Sequence, residues 1–291
     1  MRHGKLTPYI FLLPTILGLV VFRFGPVAVA VVASFTRWNI QTSPKFLGFG
    51  NYQEAIGSDI FWMVATNTVV FALIFVPGVM IFSLLMATMV NQKLPGIAFF
   101  RGLYFLPYIT AMVAVAMGWN WIFATRFGIL NHVLRTVFDI SNPPAWLGDK
   151  NWALPAMAIV AIWKSAGFQM LIFLAGLQGI PGSLYEAASI DGAGKRDQFF
   201  KITLPLLSPV AFFVFIITLI DAFKTFDVTY AMTQGGPNNA STTLAYFIYQ
   251  NAFTYSRMGY AAALAMLLLI LVVATTLVSF KLKDRLVEYA L

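Results

Sequence analysis

The 291-residue chain is 59% hydrophobic and only 10% charged, with a mean hydropathy of +0.79. Soluble domains carry about 25% charged residues, so a soluble globular class is excluded. Zero cysteines rule out disulfides and thiolate metal sites, and two histidines, His3 and His132, cannot assemble an imidazole cluster. The formal net charge of +8 does not point to nucleic acid, because the basic residues are dispersed over short loops between apolar runs.

Six apolar runs are long enough to cross a hydrocarbon layer about 30 Å thick as helices. They cover residues 9–35, 61–90, 98–124, 152–177, 206–232 and 258–281. An even number puts both termini on one side, and basic residues indicate which side. Arg2, Lys5, Lys93, Arg101, Lys195, Arg196, Lys201, Lys281, Lys283 and Arg285 flank one set of ends, ten against six for Arg37, Lys45, Arg126, Arg135, Lys150 and Arg257. The predicted fold class is therefore an all-α integral membrane protein, one domain over residues 1–291, with six transmembrane helices and cytoplasmic termini.

The opening run, MRHGKLTPYIFLLPTILGLVV, has the basic start and apolar core of a signal peptide. The apolar pattern continues past it to Ser34 without a small-residue cleavage site, which predicts an uncleaved first span. Arg23 lies about 14 residues into that span, where a guanidinium must snorkel, pair or face a polar cavity. Pro26 predicts a kink nearby. Segments 37–60 and 125–151 read as short helices and turns that cover span ends.

Lys164 lies about 12 residues into the fourth run, and Asp221, Lys224 and Asp227 recur every third residue in the fifth, which would align them on one helical face. At the helical rise, Lys164 and Asp221 each sit about 18 Å from the outer end of their run. Charges at that depth face a partner or a water-filled path. Two readings stand: an ion-pair network joining the fourth and fifth spans, or Lys164 on a substrate path. Trp163, Phe168, Phe226 and Tyr230 each read first as helix packing and otherwise as faces for a sugar ring, with Gln169 as a nearby amide.

Between these runs, EAASIDGAGKRDQFFKITLPLLSP (186–209) inserts six charges into apolar sequence. Its GAGK resembles half of a phosphate loop, but that loop needs a glycine where Ser189 stands and a hydroxyl where Arg196 stands. The segment spells a helix–turn–helix instead. Ser183 and Glu186 have capping-box spacing, Ala187 and Ala188 favour helix, and Asp191-Gly192-Ala193-Gly194 forms a turn. A second short helix through Phe199 and Phe200 leads to Pro205 and Pro209, which open the fifth span. Beyond that span, TQGGPNNASTTLAYFIYQNAF suits an external cap or a docking surface for a binding protein; its Asn239-Ala240-Ser241 glycosylation match carries no weight.

Glu186, Ala187, Ala188, Gly192, Ile202, Leu204 and Pro205 fill the pattern E-A-A, three residues, G, nine residues, I, one residue, L-P. That pattern resembles the EAA loop of importer-type ABC permeases. FRFGP (22–26), FLGFGNY (46–52), FLP (105–107), LAGLQGIP (174–181) and TQGGP (233–237) are similar to the binding-protein-dependent sugar permeases of the maltose and glycerol-3-phosphate type, so the resemblance runs the length of the chain.

The resemblance implies a cytoplasmic coupling loop at 179–208, in which Glu186, Ala187, Ala188, Asp191, Gly192, Ala193 and Gly194 meet a separate ATPase subunit. It implies no catalysis and no cofactor in this chain, with ATP and Mg on partner subunits. The partners it implies are a second homologous permease, two ATPase subunits, a periplasmic or lipid-anchored solute-binding protein and membrane lipid, in the cytoplasmic (inner) membrane of a bacterium. Aligned on the IP and TQGGP landmarks, its sugar contacts fall on Lys164, Ser165, Phe168, Thr218, Ala222 and Thr225, and Gln169, Asp221 and Asp227 complete the implied path. Ala222 cannot hydrogen-bond a hydroxyl and Lys164 is charged, so both a neutral sugar and an anionic derivative stay open. A rival class, an ion-coupled secondary transporter or channel, would favour inverted repeats and carboxylates poised for ions. No repeat is visible, and no nucleophile and base pattern supports an enzyme.

Overall fold

The computed structural model describes residues 7–92 and 94–286. The predicted flanking positions Arg2, Lys5 and Lys93, and His3, lie outside them. In chain order the elements are α1 (Thr7–Leu19), α2 (Gly25–Ser34), strands β1 (Thr36–Arg37) and β2 (Lys45–Phe46), α3 (Gly50–Ile56), α4 (Asp59–Val90), α5 (Ile97–Ile109), α6 (Met112–Ile122) and α7 (Ile129–Thr136). There follow α8 (Ala153–Gln178), α9 (Gly182–Ile190), α10 (Lys195–Gln198), α11 (Leu204–Phe223), α12 (Asp227–Met232), α13 (Leu244–Tyr249) and α14 (Met258–Leu286). The fold is helical apart from the two-residue ladder, which the all-α expectation did not contain.

Among the described residues, five helical stretches are long and apolar enough to span a membrane: Phe11–Ser34, Asp59–Val90, Ala153–Gln178, Lys195–Phe223 and Met258–Lys283. A sixth exists if α5 and α6 count as one span, and these two are bent by 96°. The straight third span expected at 98–124 is thus corrected. Pro107, in the last turn of α5, has no amide to continue the helical ladder, and Thr110 and Ala111 adopt extended dihedrals (ψ 137° and 133°).

The fifth run needs two corrections. Its helix begins earlier than residue 206: α10, a π-helical turn at Phe199–Thr203 and α11 form one stretch, Lys195–Phe223. It also ends earlier than residue 232, because the chain leaves the helix at Lys224–Phe226 and restarts as α12 at Asp227. Asp221, Lys224 and Asp227 therefore do not share one helical face. The local chemistry favours this corner. Thr225 Oγ1 returns a hydrogen bond to the Asp221 carbonyl (3.1 Å). Asp227 places a carboxylate in the first turn of α12 and accepts the Val228 amide (3.0 Å), where the helix dipole favours a negative charge.

The chain divides into two compact units. The first joins the residues up to Phe61 with Phe247–Ile270. In its first helix the irregularity expected near Pro26 is a π-helical turn at Val20–Phe24, just before the proline, which has no amide to continue the ladder. The β1–β2 pair, with Thr36 opposite Phe46, is held by buried Asn51, whose Nδ2 donates to the carbonyls of Ser34 and Thr36 at 2.8 Å each. One guanidinium nitrogen of Arg257 donates to both carboxylate oxygens of Glu54 (2.5 and 2.6 Å), and the group lies 4.4 Å from the Tyr260 ring centroid.

The second unit joins Trp62–Tyr246 with the chain from Leu271 onward. One cluster packs Phe71, Phe75 and Val79 of α4 against Met157 and Val160 of α8 and Val228 of α12. Another packs Ala87 and Val90 of α4, Met170 and Phe173 of α8, and Leu207 and Val214 of α11. Lipid is as apolar as these side chains, so the close fit of small residues holds the helices together rather than escape from water. Ala156, Ala158 and Ala222 are accordingly 0% exposed. At Gly167 of α8 an added Cβ would run into the Tyr104 carbonyl oxygen of α5, so glycine sets that helix separation.

Candidate substrate cavity and coupling turn

The second unit encloses a cavity of about 320 Å³ against α4, α5, α6, α8 and the α11–α12 corner. Five of the predicted path residues line it: Lys164, Ser165, Asp221, Thr225 and Asp227. Phe168 stands behind its wall, stacked on the lining ring of Tyr108 with centroids 4.7 Å apart and planes 12° off parallel. Gln169, Thr218 and Ala222 do not line it; they are buried at 2%, 0% and 0% exposure. Gln169 Oε1 and Thr218 Oγ1 have no hydrogen-bond partner among the described residues. Sequence reasoning left Phe75, Tyr108, Met112 and Lys224 off the path. Tyr108 and Met112 reach the wall only because the third span is broken, and Pro107 is the signal that could have found them.

Lys164 has a different partner from either expected one. Its Nζ donates to the carbonyls of Tyr108 (2.8 Å) and Thr110 (2.9 Å), with Pro107 at 3.4 Å. These carbonyls close α5; the Pro107 carbonyl also accepts the Thr110 amide (3.3 Å), and the break leaves those of Tyr108 and Thr110 to the lysine. An ammonium carries three donors and no acceptor, so this contact uses its full capacity. A cation at a helix C-terminus is also favoured by the macrodipole. Among the described residues no carboxylate lies within 4.0 Å of Lys164. The expected ion-pair network between the fourth and fifth spans is thus replaced by a lysine that ties α8 to the broken end of α5.

The glycine-rich segment after α12 is a cap whose hydroxyls turn inward, with Ser241, Thr242 and Thr243 at 0% exposure. Thr243 Oγ1 donates to the Thr225 carbonyl (2.7 Å), bracing the corner beside Asp221 and Asp227. Asn67 Nδ2 donates to the carbonyls of Asn239 (2.8 Å) and Thr242 (3.2 Å), and Thr68 Oγ1 accepts the Leu244 amide (2.8 Å). These contacts tie the segment to α4.

The polar insertion forms α9, a turn and the start of the long helix. The expected Ser183–Glu186 capping box is absent: Pro181, extended at ψ 129°, is the N-cap, so the helix starts at Gly182 and Ser183 already lies inside its first turn. The predicted turn is present. The Ala193 amide donates to the Ala188 carbonyl (2.8 Å) and the Gly192 amide to the Ser189 carbonyl (3.1 Å), the paired bonds of a Schellman end. Gly192 sits at φ +82°, and a Cβ added there would meet nothing within 4 Å, so the demand for glycine is conformational and not steric.

Glu186, Ala187, Asp191, Gly192 and Gly194 are exposed, Ala188 and Ala193 half-buried, and Ile190 projects at 86% exposure. From Lys195 the helix runs without interruption to Phe223, 29 residues in all, so one element carries the turn at one end and Asp221 of the cavity at the other.

A family model for the "Binding-protein-dependent transport system inner membrane component" matches residues 5–286. The chain is 35% identical over 284 residues to the probable ABC transporter permease protein YurN of Bacillus subtilis, covering 97% of each. It is 37% identical to the sulfoquinovosyl glycerol transport system permease protein SmoG of Agrobacterium fabrum, over 94% of this chain and 89% of that one. It is 33% identical to the sn-glycerol-3-phosphate transport system permease protein UgpA of the same organism, over 98% and 97%. Among solved structures, a chain of a bacterial alginate ABC transporter in complex with an alginate-bound periplasmic protein superposes with a TM-score of 0.84, at 22% identity, over 98% of this chain and 96% of that one. The likeness to that structure is one of fold. With a family match over nearly its whole length, the chain belongs to the inner membrane components of binding-protein-dependent transport systems, the permease subunits of ABC transporters, which leave ATP hydrolysis to separate subunits.

Proposed function

We propose that this chain forms half of the pathway of an ATP-driven importer for a sugar or sugar derivative handed over by an external binding protein. The bent pair α5–α6 counts as one of six spans, both termini are cytoplasmic, and the membrane is the inner membrane of a bacterium. The segment 179–208 is the cytoplasmic coupling loop, and Glu186 to Ala188 with Asp191 to Gly194 meet one ATPase subunit. A second permease of the same kind completes the pathway, and two ATPase subunits bind the ATP and Mg.

One observation carries this reading above the others: the helix Lys195–Phe223 joins the coupling turn to the cavity wall. At the helical rise it is about 43 Å long, enough to reach across a bilayer. A push at the turn therefore arrives at Asp221 without crossing a flexible joint. The wall offers what a sugar needs. Asp221 and Asp227 accept from hydroxyls, Ser165 and Thr225 exchange hydrogen bonds, and Tyr108 presents a ring to C–H surface. Lys164 shapes the wall and Lys224 supplies the cation with which an acidic substituent would pair. Relatives named for sulfoquinovosyl glycerol and sn-glycerol-3-phosphate transport support a sugar-like solute that can carry an acidic group.

The test is ATP hydrolysis by the reconstituted complex. Hydrolysis stimulated by the solute-loaded binding protein, and lost when this chain is omitted, is the expected result. Stimulation that persists without the chain contradicts the proposal.

A further inference from the structure

We propose that Gln198 is the joint that makes the coupling turn and the long helix move as one body. It is a positioning residue, acting on the pathway through α9 and α11. The inference rests on the reading of α9 as the ATPase-facing helix.

The turn between α9 and α10 is short, and its backbone bonds end one helix without attaching it to the next. At the turn itself the attachment comes from the Gln198 side chain. Gln198 Nε2 donates to Ser189 Oγ (2.8 Å), with the carbonyls of Ala193 (3.3 Å) and Tyr185 (3.4 Å) alongside. Ser189 Oγ in turn donates to the Tyr185 carbonyl (2.7 Å). Ser189 and Tyr185 belong to α9, Ala193 to the turn and Gln198 to the last position of α10, so the amide spans all three.

A second bond closes the ring one turn further along. Tyr185 Oη and Thr203 Oγ1 are 2.9 Å apart, and Thr203 Oγ1 also lies 3.3 Å from the Gln198 carbonyl across the π-helical turn. Thr203 is 7% exposed, so its hydroxyl has no competing water there. The π-helical turn departs from the regular ladder of the long helix, and here it is bonded to α9.

A rigid lever requires this arrangement. If α9 could swing about Asp191–Gly194, closure of an ATPase against it would be absorbed in the turn and would not reach Asp221. Removing the amide should leave hydrolysis in place and lose transport. Lys201 and Asp197, an exposed ion pair (2.8 Å) beside the same turn, have no hydrogen bond to α9 among the described residues and serve as the control.

The experiment uses the complete transporter in proteoliposomes and reads solute imported per ATP hydrolysed. Gln198→Ala is expected to lower that ratio roughly 5-fold or more, within the usual range of coupling between sites, at an unchanged amount of assembled complex. Lys201→Ala should leave it unchanged. Ser189→Ala should lower it too, and the double variant should fall no further than Gln198→Ala, because both substitutions break one bond. A purely structural role predicts less assembled complex with a normal ratio, and that result overturns the proposal.

The underlying reading is checked separately. The chain has no cysteine, so Asp191→Cys provides a unique thiol for cross-linking to the ATPase. A cross-link with a normal ratio in Gln198→Ala refutes the joint and leaves the docking intact. The absence of any cross-link, together with a normal ratio, refutes both.

Discussion

Lys164 illustrates how a residue can be legible in type and illegible in partner. A lysine in the middle of an apolar run announces that something compensates its charge, and Asp221 is the acid that the sequence places at a matching depth, with Asp227 beyond it. The actual acceptors are the carbonyls of Pro107, Tyr108 and Thr110. Every residue has a carbonyl, so no side-chain pattern could single these out; only the break after Ile109 makes them available. Lys164→Met keeps the length and removes the charged donor from the Tyr108 and Thr110 carbonyls. It should lower unfolding stability by about 1–3 kcal/mol, while Lys164→Arg, which keeps a cationic donor, should lose less. A thermal unfolding series in detergent measures both. Equal, negligible shifts would show that the α5 end does not depend on this cap. Glu186 failed in the opposite way: its spacing from Ser183 fits a capping box, but Pro181 and Gly182 begin the helix too early for the pair to form.

At the scale of elements, hydropathy found every apolar run and missed every interruption. The breaks at Thr110–Ala111 and Lys224–Phe226 fall inside or at the edge of apolar sequence, and a window of composition is blind to a dihedral angle. Their local chemistry is nonetheless written in residues: a proline without an amide at 107, a threonine that bonds back to its own helix at 225, an aspartate suited to a helix start at 227. The coupling turn was more legible, because a glycine at positive φ following a helix is a strong local signal and Gly192 supplies it. Contact between elements was not legible. Gly167 looks like any glycine in a membrane helix until the α5 backbone is seen against it. Gly167→Val should force α8 and α5 apart and lower the yield and thermal stability of the folded protein by more than Gly102→Val, whose site has nothing within 4 Å. Matching losses at the two positions would count against the close approach.

At the scale of the whole molecule, the family followed from the resemblance of its motifs and a helical membrane protein from composition, and the match over residues 5–286 to an inner membrane component agrees with that family and that coarse class. Of the residues expected on the path, Lys164, Ser165, Asp221, Thr225 and Asp227 line the cavity, whereas Gln169, Thr218 and Ala222 are packed away from it. Alignment to landmarks fixes a position along a helix but not which way the helix is turned. The central claim is that a helix running from a partner-facing turn to the cavity wall converts ATP hydrolysis into solute movement. Its most direct measurement is uptake of labelled solute into proteoliposomes that contain this chain, its partner permease and the two ATPase subunits, with the binding protein outside. The account predicts uptake only when ATP is inside and the binding protein is present, insensitive to collapse of the proton and sodium gradients. Uptake that needs a gradient and proceeds without ATP would contradict it.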